Sequence, residues 1–259
     1  MQPLQSLKSL SNYYALYDFG EMGQSHVMNY DGSTFGSRFD LSFDSRYARM
    51  NDAWKIVLGS GGDEVYAFWT YGGNLILGGS GDDRIGGSHM GYDSIKAGSG
   101  NDRIVNYGGS TLDGGAGDDF FVLNSVHFTN SGWIRTPSSV RGGTGSDGFD
   151  PKYSYGDDIR DFQVGKDLIS YEAVDAGSSE NYAEITGVRF NDIEGAMTYI
   201  NTYVLASKPG LKHVFIEDCF GPGKSALVCD REGDGIADSL VVLVGVSAND
   251  FDYSQITSY

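Results

Sequence analysis

The stretch that decides the fold runs from Leu58 to Asp119 and contains four glycine-rich hexads, each ending in an aspartate. The hexads read LGSGGD at 58–63, GGSGDD at 78–83, AGSGND at 97–102 and GGAGDD at 114–119. They recur about every 17 to 20 residues, and a fifth, GGTGSD at 142–147, follows after a longer gap. An apolar residue comes two positions after each aspartate, which predicts a short strand with one inward side chain. These residues are Val65, Ile85, Ile104, Phe121 and Phe149.

This pattern resembles the G-G-x-G-x-D-x-U-x repeat of RTX (repeat-in-toxin) proteins, which builds a calcium-bound parallel β-roll. Glycine suits the chain reversals because it adopts positive φ at little cost and lets backbone carbonyls approach an ion. A flexible glycine-rich linker has a similar composition, but it would not keep apolar residues in phase with the hexads. The resemblance implies an all-β fold: a right-handed parallel β-roll with an N-terminal β cap and a C-terminal β region carrying one helix.

The same resemblance assigns calcium ligands within each hexad. In the RTX pattern the first and third positions offer backbone carbonyls, the sixth offers a carboxylate, and each ion lies between stacked hexads. Calcium accepts such mixed shells of six to eight oxygens. The sixth-position carboxylates are Asp63, Asp83, Asp102, Asp119 and Asp147. The carbonyl positions are Leu58, Ser60, Gly78, Ser80, Ala97, Ser99, Gly114, Ala116, Gly142 and Thr144. We expect this edge to hold about three or four calcium ions.

The half-turns between the hexads predict a different second edge. They keep glycine and an apolar residue, which we take to be Leu75, Ile95 and Leu112. They mostly lack the carboxylate, with Asp93 as the exception. We therefore expect this edge to hold few ions or none, with turns closed by glycine and by Asn74 or Ser110.

Two further segments are candidate calcium sites. The segment IRDFQVGKDLI at 159–169 resembles the element that closes RTX rolls in secreted serralysin-type proteases. It makes Asp157, Asp158 and Asp167 either extra calcium ligands or turn residues.

The segment 230–238 resembles the first nine residues of an EF-hand loop. Its ligand positions would be Asp230, Glu232, Asp234, Ile236 and Asp238. Position 12 is Val241 instead of glutamate, so the loop is a weakened calcium site or an acidic hairpin turn.

The chain divides into three parts. Residues 1–56 lack hexads, and alternation at Phe39, Leu41 and Phe43 predicts strands that cap the first turn. The tail of a larger domain, or a ligand-binding face, would fit the same segment. Residues 57–158 form the predicted roll, interrupted by a loop insertion at 124–139. Residues 159–259 form a capping and secretion-signal region.

Within the last part we expect one helix and three strands. The helix should begin after Asn191 as N-cap, with Glu194 completing a capping box, and end at Pro209. Its expected role is to cover the apolar end of the roll. The strands are predicted at 213–216, 226–228 and 240–244. Cys219 and Cys229 are expected to pair outside the cell and to stay thiols inside it, and we favour pairing.

Composition and motifs narrow the function. The net charge of −17 argues against binding to nucleic acid or to anionic membranes. No apolar run is long enough for a membrane span, and residues 1–8 lack the apolar core of a Sec signal. The four histidines are isolated, and H-E-x-x-H, G-x-S-x-G and P-loop motifs are absent, so no usual catalytic centre is indicated.

The resemblance implies export through a type I secretion apparatus with an uncleaved C-terminal signal. The chain would then be secreted, extracellular or held at the cell surface. We expect a non-catalytic module that stays loose in the cytosol, where calcium is scarce, and folds on calcium outside. A calcium-dependent adhesin, binding a cell-surface glycan or protein through 1–56 and 124–139, is the alternative. A polysaccharide-modifying enzyme fits less well.

Overall fold

The computed structural model describes residues 26–29, 38–40, 54–67, 72–129 and 132–259. At 26–29, 38–40, 54, 126–129 and 132–133 the description is limited to the backbone. Most of the described strands lie in two sheets. The first sheet contains, in spatial order, β1 (His26–Asn29), β3 (Trp54–Val57), β5 (Leu75–Ser80), β7 (Ser94–Ser99), β9 (Thr111–Ala116), β13 (Ser139–Thr144), β15 (Tyr155–Ile159), β20 (Ser239–Val244), β19 (Lys224–Cys229), β18 (His213–Ile216) and β17 (Tyr182–Ile185). The second sheet contains β2 (Arg38–Asp40), β4 (Glu64–Tyr66), β6 (Arg84–Gly86), β8 (Arg103–Asn106), β10 (Phe120–Asn124), β14 (Gly148–Tyr153), β16 (Leu168–Tyr171) and β21 (Ile256–Ser258).

The chain alternates between the two sheets. From β3 to β16, apart from the hairpin β11–β12 described below, each turn adds one strand to each sheet. Each strand pairs in parallel with its neighbour from the next turn. The first sheet becomes mixed at its C-terminal end, because β18, β19 and β20 pair antiparallel. The fold is thus β-rich and carries one short α-helix, as expected.

The core lies between the sheets and consists of two rows of stacked apolar side chains. The row on the first sheet is Ile56, Ile76, Ile95, Leu112, Val140 and Ile159. The row on the second is Val65, Ile85, Ile104, Phe121, Phe149, Ile169 and Ile256. All are buried, and each buried side chain of this size contributes about 1.5–3 kcal/mol before the cost of ordering it.

One predicted core residue is displaced by one position. Ile76 is the inward residue of β5, and Leu75 is only half-buried, so the prediction of Leu75 was wrong. The reason is register, because Leu75 lies opposite Ser94 and Ile76 opposite Ile95.

The N-terminal part contributes to both sheets. β1 pairs in parallel with β3, and β2 pairs in parallel with β4. Phe39 in β2 lies opposite Val65. The paired strands therefore begin before residue 57. Most of the predicted cap, including Leu41 and Phe43, lies outside the described residues.

The segment 124–139, predicted as a loop insertion, contains a β-hairpin. β11 (Val126–Thr129) and β12 (Gly132–Arg135) pair antiparallel. Arg135 forms an ion pair with Glu194 at 2.8 Å, and its guanidinium lies 3.8 Å from the centre of the Tyr155 ring. The hairpin is thereby tied to the helix that follows later in the chain.

The helix α1 (Ile193–Tyr199) continues into a π-helical turn at Ile200–Val204 and a 3-10 turn at Leu205–Ser207. Its N-cap is Asp192, whose carboxylate accepts the Gly195 N–H at 2.8 Å, so the predicted Asn191 was wrong by one residue. The helical segment packs on the face of β18–β20 that points away from the inter-sheet core. Because the helical segment covers that face, β18–β20 are buried on both sides. The predicted strands at 213–216, 226–228 and 240–244 are confirmed.

The two cysteines are not paired. Cys219 and Cys229 are both free and buried. Cys219 packs in the cluster beneath the helix, and Cys229 packs in the inter-sheet core. The predicted disulfide was wrong, because the two thiols belong to cores on opposite faces of the first sheet.

Candidate functional site

The sixth-position aspartates form one continuous line, which we call the aspartate ladder. Its members are Asp63, Asp83, Asp102, Asp119, Asp147 and Asp167. The backbone N–H of each donates to Oδ1 of the next, over 2.6, 2.7, 2.9, 3.0 and 3.0 Å in turn. All six side chains are buried, with at most 2% exposed. The stacking of turns therefore brings the five predicted carboxylates, and Asp167, to one edge.

The hydrogen bonding of Oδ2 differs between the inner members of the ladder and its two end members. At the ends, Asp63 Oδ2 accepts the Gly59 N–H at 3.2 Å, and Asp167 Oδ2 accepts the Gln163 N–H at 2.7 Å. The four inner members have a buried Oδ2 that accepts no hydrogen bond; these are Asp83, Asp102, Asp119 and Asp147. A buried polar atom without a partner costs about 1–3 kcal/mol, and more when it carries charge. Four such oxygens therefore lie in one line along this edge.

The first hexad position leaves a cradle for these oxygens. A Cβ placed on Gly78 would lie 2.1 Å from Ala97 O and 2.5 Å from Asp83 Oδ2. A Cβ on Gly114 would lie 2.2 Å from Asp119 Oδ2 and 2.6 Å from Gly142 O. The unpartnered carboxylate oxygen and the first-position carbonyl of the next turn therefore lie on the same side of this glycine. Both are groups that the sequence analysis named as candidate ligands, and their role in binding calcium stays a prediction.

The third-position carbonyls lie along the same edge but already accept one hydrogen bond. Ser99, Ala116 and Thr144 accept the N–H groups of the fourth-position glycines one turn earlier, at 2.7, 2.8 and 2.9 Å. A carbonyl oxygen has two lone pairs, so each retains acceptor capacity. The side chains of Ser60, Ser99, Ala116 and Thr144 are exposed, and Ser80 is half-buried, so this position faces the outside.

Glycine at the second and fourth positions is required by the backbone. Gly98 has φ +119°, and a Cβ there would lie 2.2 Å from Gly79 O. Gly100 has φ +124°, and a Cβ there would lie 2.2 Å from Gly81 O. Any side chain would force the turns apart and break the ladder.

The ladder carries a strong electrostatic penalty on its own. Burial raises the pKa of Asp83 and of Asp119 to about 7, although backbone hydrogen bonds oppose the shift and neighbouring carboxylates add to it. The same causes raise the pKa of Asp147 to about 6. Burial also raises the pKa values of Asp102 and Asp167. A cation near Oδ2 would reverse this effect, because an opposite charge favours the ionised carboxylate.

The second edge carries a different ladder, which satisfies most of its own polar groups. Asp93 Oδ1 accepts the Asn74 N–H and Nδ2, and Asp93 Oδ2 accepts the Ser88 N–H. Asp93 N–H in turn donates to Ser110 Oγ at 3.1 Å. Asn74 and Ser110 therefore take part in closing these turns, as predicted. The ladder continues through Ser138 and Asp157, which the sequence analysis did not assign to it.

The closing element does not assemble one site from Asp157, Asp158 and Asp167. Asp167 completes the aspartate ladder, Asp157 belongs to the second edge, and Asp158 contacts Arg160 at 3.5 Å. Asp157 and Asp167 therefore lie on different edges, and the role of these aspartates as calcium ligands or as turn residues stays a prediction.

Asp161 is a functional candidate that sequence reasoning missed. Its Oδ1 and Oδ2 accept the N–H groups of Gly142 and Gly143, at 2.9 and 3.2 Å. The side-chain amide of Gln163 donates to Gly143 O at 2.9 Å. These two side chains end the stack of hexads, and the available signal was their place in the segment IRDFQVGKDLI.

The acidic loop at 230–238 uses its carboxylates internally. Asp230 accepts the N–H groups of Gly233 and Gly235, at 2.7 and 2.8 Å. Asp238 Oδ2 accepts two further N–H groups of the loop, from Arg231 and Glu232. Asp234 Oδ1 accepts the Ile236 N–H, and the side chains of Glu232, Asp234 and Ile236 are all at the surface. The loop is thus a hydrogen-bonded acidic turn between β19 and β20.

Within the described ranges, no three His, Cys, Asp or Glu side chains converge as a metal-binding group. A cation on the aspartate ladder would therefore be held by at most two carboxylates together with backbone carbonyls. The described part of the chain also contains no helix with the length and apolar character needed to cross a bilayer. No family model matches the chain, and neither a curated protein nor a solved structure matches it. The RTX resemblance accordingly rests on sequence motifs alone, namely the hexads and the segment 159–169.

Proposed function

We propose that this chain is a calcium-binding module of RTX type, a right-handed parallel β-roll that folds when calcium binds. The proposal includes export through a type I secretion apparatus and a non-catalytic role outside the cell. The observation that carries the calcium part is the row of four buried, unpartnered Oδ2 atoms on the aspartate ladder.

The ligand chemistry supports a hard cation. Each gap between turns offers two carboxylates, as between Asp83 and Asp102, together with first- and third-position carbonyls from the hexads. Oxygen donors of this kind suit calcium, whereas soft metals prefer thiolate or imidazole. Bound calcium would supply the positive charge that these carboxylates lack when they are buried together.

The energetics support coupling of folding to calcium. With site dissociation constants of about 10⁻⁴ to 10⁻³ M and about millimolar calcium, each site adds about 0.4–1.4 kcal/mol. About four sites would contribute about 2–6 kcal/mol, which is comparable with the net stability of a whole domain. Because the ladder is costly without cations, we infer a chain that is loose in calcium-poor cytosol and compact outside.

Far-UV circular dichroism in EGTA and then in excess calcium tests the proposal. The expected result is weak strand signal in EGTA, a cooperative gain on adding calcium, and no comparable gain with the same concentration of magnesium. A chain that shows its full strand signal and an unchanged Tm in EGTA would contradict it. Secretion with and without a co-expressed type I apparatus tests the export part separately.

A further inference from the structure

A second group of buried, unpartnered oxygens lies where the β11–β12 hairpin leaves the two sheets. We call it the hairpin-root cluster. Its unpartnered atoms are Asp157 Oδ2, Asn106 Oδ1, Asn124 Oδ1 and Thr136 Oγ1. Asp157 and Asn106 are fully buried, and Asn124 is 9% exposed. This group lies on the second edge and contains no glycine hexad, so it is separate from the aspartate ladder.

Shared contacts join Asp157 and Asn106 to the serines of this cluster, and the Thr136 N–H donates to Ser125 O at 2.9 Å. The Ser138 backbone N–H donates to Asp157 Oδ1 at 2.6 Å, and Ser138 Oγ accepts Asn106 Nδ2 at 2.7 Å. The Asp157 N–H donates to Ser154 Oγ at 3.3 Å, and the Tyr155 N–H donates to Ser125 Oγ at 2.5 Å. Ser125, Ser138 and Ser154 are themselves buried. The carboxylate is thus surrounded by hydroxyl and amide groups contributed by four successive turns.

The unpartnered atoms are all oxygens, and three of them can only accept. Burial raises the pKa of Asp157 to about 6, although hydrogen bonds from Ser138, Ser154 and Ser125 oppose the shift. The cluster contains no positively charged side chain; Arg135 is committed to Glu194 and the Tyr155 ring, on the α1 side. An acceptor-rich, buried site with one carboxylate fits an oxygen-coordinated hard cation.

We propose that the hairpin-root cluster binds a hard cation, through the Asp157 carboxylate and the neutral oxygens around it, and so fixes the hairpin to the two sheets. The same chemistry accepts calcium or sodium, and the experiment distinguishes them. The proposal does not depend on calcium binding at the aspartate ladder.

The decisive variant is Asp157→Asn. It keeps the Oδ1 acceptor for the Ser138 N–H and replaces Oδ2 by an amide that can donate to the nearby acceptors. If the cluster holds a cation, this change removes the ion. If the cluster holds only water, the change removes a buried charge and supplies a missing donor, so stability stays equal or rises. Asp158→Asn is the matched control, because Asp158 is adjacent but contacts only Arg160 among the described ion pairs.

The measurement is calcium bound per chain after equilibrium dialysis in saturating calcium, followed by Tm and amide exchange in sodium against choline chloride. A calcium site predicts one ion fewer in Asp157→Asn than in the wild type and in Asp158→Asn. A sodium site predicts equal calcium counts, with sodium-dependent protection of the Ser138 and Tyr155 amides that Asp157→Asn abolishes. Equal calcium counts with no sodium effect would overturn the proposal.

A second variant, Asn106→Asp, guards against a trivial folding defect. A second carboxylate should tighten the cation site, so the concentration of ion needed for half-maximal protection should fall several-fold. Without a cation, two buried carboxylates would destabilise the fold at every ion concentration. A wild type that binds several calcium ions, all kept in Asp157→Asn, and that shows no sodium-dependent protection would overturn this proposal and leave the ladder intact. A wild type that binds a single calcium ion, which Asp157→Asn loses, would support the hairpin-root cluster and contradict calcium binding at the aspartate ladder.

Discussion

Replacing Asp102 by asparagine should have opposite effects at low and at high calcium. Asp102 is an inner member of the aspartate ladder: its Oδ1 accepts the Asp83 N–H at 2.7 Å, and its N–H donates to Asp119 Oδ1 at 2.9 Å. Asparagine preserves both hydrogen bonds and removes only the charge at the unpartnered Oδ2. At low calcium the variant should be more stable, because a buried charge costs about 1.4 kcal/mol for each pKa unit by which burial raises its carboxyl.

At millimolar calcium the sign should reverse. Asp102 borders two gaps of the ladder. If each gap binds calcium as proposed, the variant should weaken two sites worth about 0.4–1.4 kcal/mol each, or about 1–3 kcal/mol together. For a chain of this size each kcal/mol corresponds to about 2–4 °C, so the Tm should fall by about 2–12 °C. The assay is Tm against calcium concentration for wild type and variant, and the two curves should cross.

Asp118→Asn is the matched control for this experiment. Asp118 is the exposed neighbour of a ladder aspartate, and its Oδ1 accepts the Ser146 N–H at 2.8 Å, a bond that asparagine keeps. Its curve should follow the wild type closely. Parallel curves for Asp102→Asn and wild type, without a crossing, would refute the reasoning.

Two further predictions follow from the same geometry. Without calcium, folding should become less favourable as pH rises from about 4 through 7, because folded Asp83, Asp119 and Asp147 retain protons that the unfolded chain releases. A stronger far-UV strand signal in EGTA at pH 8 than at pH 5 would contradict it. Gly98→Ala should destabilise by about 3 kcal/mol or more, since its Cβ would lie 2.2 Å from Gly79 O. Gly165 also has positive φ, but a Cβ there would have nothing within 4 Å, so Gly165→Ala should cost only about 1–2 kcal/mol. Urea unfolding in calcium measures both variants. Equal losses of stability in Gly98→Ala and Gly165→Ala would count against the close stacking of turns.

The hexads allowed the aspartate ladder to be predicted because period and chemistry coincide there. Each hexad carries its own glycines, its aspartate and an apolar residue in fixed order, so stacking in register brings the aspartates together without further information. Asp167 lies in the closing segment and not in a hexad, so the sequence analysis did not place it in the ladder. The strands of the C-terminal region were also predictable, because runs such as Leu240–Val244 are continuously apolar.

The second edge could not be predicted because its partners lack a common motif. Ser138 reaches Asn106 across 32 positions and Asp157 across 19, and nothing in their local sequence indicates either contact. The half-turns vary in length, which is also why Leu75 was taken for Ile76. The β11–β12 hairpin lacks an Asn-Gly or Asp-Gly turn, so its strands read as an interruption.

The predicted disulfide between Cys219 and Cys229 failed for a different reason. Their spacing permits a disulfide across a short loop, and only the placement of their side chains excludes it. Cys229 points into the core between the sheets, whereas Cys219 packs beneath the helical segment. The face to which a side chain belongs depends on strand register, and that register was fixed by pairing with β18 and β20.

The most direct test of the central claim is an anomalous difference map from crystals grown in calcium. The account predicts peaks in the gaps between successive members of the aspartate ladder, each within about 2.3–2.6 Å of an unpartnered Oδ2. A well-ordered ladder without peaks, in calcium-rich crystals, would contradict it.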